Sequence, residues 1–132
     1  MLARFGCHDA RVMSSRPLSI DNPALEAQVG AITFSSTTIR AFKLDLEDRE
    51  EDYGQVATYL GTIPEMPERF ELDERHVLGA GQEVLVSGNT AAMLTRTRYA
   101  PHFRVDGDTT THQGPFGRVP APVVPAAAPS CC

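Results

Sequence analysis

Apolar and polar positions alternate most clearly in the middle of this chain. In QVATYLG, Val56, Thr58 and Leu60 share one face, while Ala57, Tyr59 and Gly61 share the other. In ERFELDE, Phe70 and Leu72 stand two apart with Glu71 and Asp73 pointing away, and in EVLVSG the pair Val84 and Val86 repeats that spacing. A period of two marks a strand with one buried face, so three short strands are predicted. Pro64 and Pro67 break the chain between the first two, because proline lacks an amide donor and restricts the residue before it. Gly79-Ala80-Gly81 reads as a hairpin turn, and strands so close in sequence favour an antiparallel meander. Ser87-Gly88-Asn89-Thr90 ends the alternation, with Asn89 or Thr90 as the expected cap of a short helix beginning AAML.

The earlier part of the chain carries a strand, helix, strand pattern. MLARFG reads as a last helical turn stopped at Gly6. HDARVMSSRPLSI places Ala10, Val12 and Ser14 on one side in a period of two, with Pro17 limiting ladder bonds near its end. Asn22 is the expected N-cap and Pro23 the first residue of a helix over ALEAQV that Gly30 can close. AITFSSTTIRAFKL, rich in β-branched and aromatic residues, is the strongest strand prediction of this part. Such a unit cannot bury both of its faces by itself and implies contact with something more.

Charge alters this picture mainly in one place. The chain of 132 residues has a formal net charge of −5, which divides into +2 for residues 1–44, −8 for 45–76 and +1 for 77–132. The run DLEDREED at 45–52 reads as a solvated, self-repelling connection that stays outside the core. A net negative charge disfavours nonspecific binding to nucleic acid. Arg96, Arg98, Arg104 and His102 cluster around Tyr99 and Phe103, and are expected to pair with the acidic connection or dock a helix terminus rather than form a nucleic-acid surface. No apolar run is long enough to span a membrane. The usage of three cysteines is not that of an extracellular disulfide scaffold, which makes a reducing cytoplasm the default location. Residues 118–132 change to a Pro/Ala-rich composition that favours a disordered, polyproline-like tail ending in Cys131-Cys132.

Candidate chemistry is sparse. There is no dinucleotide or Walker glycine motif, no zinc-protease motif and no nucleophile elbow. His8, His76, His102 and His112 lack ligand spacing and read as structural or surface histidines, and Cys7 as a small buried hydrophobe. Cys131 and Cys132 are the candidate metal-site residues, since a flexible thiol pair can take a large thiophilic centre or exchange with a disulfide.

Taken together, SRPLSIDNPALEAQVGAITF, EDYGQVATYLGTIPEMPERFELDERHV and VSGNTAAMLTRTRYAPHF resemble the C-terminal part of arsenite S-adenosylmethionine methyltransferases. The resemblance covers nearly all of the chain except the proline-rich tail. It implies an α+β fold in which 8–20 and 31–43 are the last two strands of a Rossmann-like methyltransferase sheet, with 22–29 as the helix between them. A small antiparallel-sheet domain with a short helix follows. The implied division is a methyltransferase remnant at 1–44, a linker at 45–52, the family's C-terminal domain at 53–117 and the tail at 118–132.

In that family thiolates hold As(III) close to the methyl group of S-adenosylmethionine, and both the donor site and those thiols are expected to lie outside this sequence. The chain alone is therefore expected to be inactive, with no catalytic or cofactor-binding residue of its own. Expected partners are a separate methyltransferase core, or a second copy associating through residues 8–43. Sequences of this type often carry cysteine before EDYGQ and before GNT, where this chain has Glu50 and Ser87, and another after the final Gly-x-Phe segment, where Gly117-Arg118 runs on without one. Cys131-Cys132 resembles the thiol-bearing tails of some members, which implies an As(III) site able to capture the metalloid intermolecularly. The alternative is a non-enzymatic, thiol-dependent metalloid-binding module, or a nonfunctional split-gene remnant.

Overall fold

The structure is a computed structural model and describes residues 2–117. The tail and Cys131-Cys132 lie outside these described residues. The architecture is mixed α/β, with small antiparallel sheets and two α-helices. After a 3-10 turn at Leu2–Phe5, stopped by Gly6 at φ +76°, strand β1 (Arg11–Leu18) leads through helix α1 (Pro23–Val29) to strand β2 (Phe34–Arg40). The expected cap holds: Asn22 Oδ1 accepts from the amides of Ala24 and Leu25 at 3.0 and 3.3 Å, and Pro23 opens the helix.

Strands β1 and β2 pair antiparallel as a sheet of their own. A bulge at Met13 breaks the simple alternation expected for β1. Val12 lies opposite Ile39 but Ser14 lies opposite Thr38, so Val12 and Ser14 fall on opposite faces rather than sharing one. The hairpin leaves apolar side chains in solvent on both faces. Val12 and Ile39 stand on one, Leu18 and Phe34 on the other, and Ile39 is 52% exposed.

The second half is built around β4 (Gln55–Tyr59), which follows the two-residue strand β3 (Glu51–Asp52). The hairpin of β5 (Arg69–Glu71) and β6 (Val77–Gly79) comes next, then β7 (Glu83–Val86), helix α2 (Gly88–Thr95), β8 (Phe103–Asp106) and β9 (Gly114–Pro115). The predicted meander is not what forms. The central sheet has the order β7-β4-β8, β5 pairs only with β6, and β3 pairs with β9. Gly81, at φ +75°, still makes the predicted turn, but the turn joins two different sheets rather than a hairpin. The reason lies in the segment between β4 and β5. Its prolines carry β5 away from the edge of β4, and β7 and β8 take the two open edges instead.

An aromatic cluster organises the core. Tyr59, wholly buried, meets Phe70 and Phe103 at centroid distances of 5.9 and 5.0 Å, and Phe70 meets Tyr99 and Phe103 at 4.8 and 5.0 Å. Leu72, Leu78, Val86, Met93 and Leu94 close around it. The Tyr59 hydroxyl donates to the carbonyl of Met66 at 2.6 Å and accepts from the amide of Ile63 at 3.2 Å. One buried phenol thus fixes the proline-containing loop whose backbone no strand partner satisfies.

Replacing Tyr59 by Phe keeps the ring and leaves the Met66 carbonyl and Ile63 amide without that partner. We expect urea denaturation to show a loss of roughly 1–3 kcal/mol, with faster hydrogen exchange at Ile63. An unchanged midpoint would mean that the loop is held by other contacts.

Candidate functional site

The most concentrated chemistry among the described residues lies where the β1–β2 hairpin meets the second half of the chain. Arg11 and Arg40 are cross-strand partners, so both side chains leave the hairpin on the same face. They grip consecutive residues at the end of β5. Arg40 Nη1 donates to the carbonyls of Glu71 and Leu72 at 2.9 and 2.7 Å, and its guanidinium lies 5.8 Å from the ring centres of both Phe70 and Tyr99. Arg11 reaches the next residue, with Nη1 3.2 Å from Asp73 Oδ2. The Glu74 amide donates to the Val12 carbonyl at 3.0 Å and completes the seam.

Arg11 is the centre of a buried ionic cluster, its side chain only 2% exposed. Nη2 contacts Asp9 Oδ2 at 2.7 Å, Glu50 Oε1 at 2.9 Å and Thr90 Oγ1 at 3.1 Å. Burial works against its charged form, but Asp9, by charge and hydrogen bond, and Glu50 and Asp73, by charge, outweigh this and raise its pKa above the ordinary value. Burial likewise pushes the Asp73 carboxyl upward. Hydrogen bonds from the His76 ring and the Arg75 amide, the charge of His76 and the bond from the His76 amide prevail, holding Asp73 below its ordinary value of 3.8. His76 Nδ1 is 2.8 Å from both Asp73 oxygens and 3.3 Å from Arg11 Nη1, so it carries its proton toward the carboxylate.

The acidic run at 45–52 is only in part the solvated connection the charge pattern predicts, with Asp45, Glu47, Asp48 and Arg49 exposed. Leu46 enters the core, the Glu47 amide donates to Asn89 Oδ1 at 2.9 Å, Glu50 pairs with Arg11, and Glu51–Asp52 form β3. A buried cation draws the strap inward. Nor do the arginines near Tyr99 pair with this run, since Arg104 bonds Glu83 and Asp106 while Arg98 donates to the Tyr99 hydroxyl at 3.1 Å.

Glu50 and Ser87, distant in sequence, meet here. Ser87 Oγ donates to Glu50 Oε1 at 3.1 Å and accepts from the Thr90 amide at 3.2 Å, which makes Ser87 the N-cap of α2 in place of the expected Asn89 or Thr90. Asn89 instead ties the strap, donating to Asp9 Oδ2 and the Glu47 carbonyl. The cluster offers oxygens and one imidazole around a guanidinium, with no thiolate, a donor set unsuited to a thiophilic metalloid. Among the described residues no group of three or more His, Cys, Asp or Glu is placed to hold a metal ion. The four histidines pair separately, with Asp48, Asp73, Thr62 and Glu51. Cys7 is half-buried rather than part of a core. The candidate thiols Cys131 and Cys132 fall outside the described residues.

The family described as "Arsenite methyltransferase C-terminal domain" matches residues 52–122. The chain belongs to this family. An arsenite methyltransferase of Aquipseudomonas alcaligenes is 43% identical over 98% of the chain, which spans 39% of that protein. The arsenite methyltransferase of Mus musculus is 29% identical over 87% of the chain and is covered over 30% of its own length. The crystal structure of an arsenic(III) S-adenosylmethionine methyltransferase from Chlamydomonas reinhardtii superimposes with a TM-score of 0.82 at 40% identity, over 86% of this chain and 38% of the other. The chain thus spans about two fifths or less of these arsenite methyltransferases. Among the described residues no helix is long and apolar enough to cross a membrane.

Arg11, which the sequence pattern did not single out, is the residue on which this site depends. Asp73→Asn keeps the Oδ1 acceptor for the Arg75 and His76 amides but removes a charge facing Arg11, and should cost about 1.5–3 kcal/mol. Because the folded pKa of Asp73 is depressed, its contribution is complete above about pH 4 and is lost as pH falls through the lower folded value. Unfolding followed from pH 7 to pH 2 should therefore show less acid destabilisation in the variant than in the parent. Parallel curves would contradict this assignment.

Proposed function

We propose that this chain serves as the C-terminal portion of an arsenite methyltransferase, an enzyme that moves the methyl group of S-adenosylmethionine to trivalent arsenic, and that it is catalytically incomplete alone. The observation that carries this reading is the β1–α1–β2 unit. Its sheet has two strands, apolar side chains stand free on both faces, and Leu25 of α1 and Ile32 are 50% and 63% exposed. Sheets bare on both faces are stable when further strands and helices cover them. In this reading β1 and β2 are the last two strands of a Rossmann-like sheet, whose remainder corresponds to the larger part of the arsenite methyltransferases that this chain does not match. The proposed division keeps residues 1–44 with the methyltransferase sheet, 45–52 as the strap, 53–117 as the C-terminal domain and 118–132 as the tail.

In this reading S-adenosylmethionine is held outside this chain. The turn into α1 is capped by its own Asn22, whose Oδ1 already takes the amides of Ala24 and Leu25. What the residues here contribute is orientation. Arg11 and Arg40 fix the hairpin, and whatever sheet continues it, against the C-terminal domain. Capture of As(III) falls to Cys131 and Cys132, soft donors of the kind the buried cluster lacks.

Coexpression with the N-terminal portion of the Aquipseudomonas relative tests the reading. The two polypeptides should copurify and methylate arsenite with S-adenosylmethionine, whereas this chain alone should give no saturable heat with S-adenosylmethionine in calorimetry. Ile39→Asp should abolish copurification while leaving the unfolding of the C-terminal domain unchanged. Separate elution of the two unsubstituted polypeptides, or tight donor binding by this chain alone, would overturn the proposal.

For the tail, replacing Cys131 and Cys132 by serine should remove most binding of a phenylarsenical without shifting the melting temperature. Retained binding would move the site to Cys7.

A further inference from the structure

Tyr99 is flanked by two guanidiniums. The Cζ of Arg98 lies 5.1 Å and that of Arg40 5.8 Å from its ring centre. Both arginines, with His102, line a cleft of about 290 Å³ whose other walls are Ile63, Met66, Phe70 and Tyr99 itself. Among the described residues no carboxylate lines it. Glu65, Glu68 and Glu71 stand with Arg69 in an adjoining cleft that shares only Arg40 and Met66 with this one.

The hydrogen-bonding capacity of the cleft is one-sided. Arg40 spends Nη1 on two backbone carbonyls, and Arg98 bonds only the Tyr99 hydroxyl. That hydroxyl accepts from Arg98 and donates to no acceptor among the described residues. His102 uses Nδ1 toward Thr62 Oγ1 at 2.7 Å, and Nε2 has no partner among the described residues. Arg98, Arg40 and the Tyr99 hydroxyl thus bring unused donor capacity to the lining of this cleft, and no carboxylate among the described residues answers it. A ligand that satisfies them must bring acceptors and negative charge. The aromatic rings, the thioether and the isoleucine favour an apolar body behind that charge, and disfavour a strongly hydrated dianion.

We propose that this cleft binds a small organic carboxylate carrying an apolar, ring-sized body. The carboxylate is held by Arg98 and Arg40, with the Tyr99 hydroxyl as a further donor, and the body lies against Phe70, Met66 and Ile63. The volume, about 290 Å³, lies just under the usual range of ligand sites, roughly 300–1,000 Å³, and suits a ligand of one ring. The site is formed entirely by residues 40–102 and is independent of the methyl-transfer reading.

Benzoate is the probe. Titrated into the isotope-labelled full chain and followed by NMR, it should produce saturable shifts at the Ile63, Tyr99 and His102 amides and the Arg98 side chain, with affinity in the millimolar range. Benzyl alcohol, of the same shape without charge, and inorganic phosphate, charged without the ring, should give weak, unsaturated shifts. Arg98→Gln should weaken benzoate about tenfold, and Arg104→Gln, outside the cleft, should leave it unchanged. Absence of saturation by benzoate, equal binding of benzyl alcohol or phosphate, or undiminished binding by a folded Arg98→Gln chain would each overturn the proposal. The comparison of the three ligands on the unsubstituted chain decides the matter even if the variant fails to fold.

Discussion

A single buried cation sets the geometry of this chain. Arg11 lies among Asp9, Glu50 and Asp73, and a guanidinium removed from water is tolerable only when several hydrogen-bonded carboxylates surround it. Those carboxylates come from the segment just before β1, the acidic strap and the loop after β5, so satisfying Arg11 brings three separate parts of the chain together. The net gain in stability from such a cluster is small compared with its effect on register, because desolvation cancels much of the attraction. Its cross-strand neighbour Arg40 works differently, through backbone carbonyls and ring faces. Between them the end of β5 is held from two sides.

The same constraint explains why a self-repelling segment becomes ordered. Residues 45–76 carry a net charge of −8, yet Leu46 packs into the core and Glu51–Asp52 pair with Gly114–Pro115. Arg11 neutralises Glu50, His112 lies 3.1 Å from Glu51, and Asn89 takes the strap backbone in hand at Glu47. Gly88 allows the strap to close down on α2, since a Cβ there would stand 2.9 Å from the ring of Tyr53. Glu50 and Ser87 occupy the middle of this arrangement as a hydrogen-bonded pair. Their oxygens serve the fold, and the soft chemistry expected of an arsenical site is not found there.

The two halves of the described chain differ in how fully they bury their apolar side chains. The C-terminal half has its own aromatic core and satisfies its own loops, while the β1–α1–β2 unit exposes Val12, Ile39, Leu25, Ile32 and Phe34. One half closes its own core, and in the proposed reading the other serves as a platform. The two arginines join the platform rigidly to the finished half, so a sheet continuing from β1 and β2 would inherit a fixed orientation toward the aromatic cleft beside Tyr99.

Much of this was legible in the residues. Asn22-Pro23 announced α1, period-two alternation located β4, β5 and β7, and Gly6 marked the end of the first turn, because caps, prolines and alternation act over a few residues and need no distant partner. The long match from Asp52 to Phe103 identified the family for the same reason, as an ordered string of residue types. What the sequence did not determine was anything resting on a contact between distant segments. The bulge at Met13, the order β7-β4-β8, the capture of the strap, the capping of α2 by Ser87 and the meeting of Glu50 with Ser87 all depend on which groups compete for the same neighbours in three dimensions. Arg11 reads in the chain as one basic residue in a short strand, and only tertiary burial, with three carboxylates brought around it, makes it the point on which the rest is fixed.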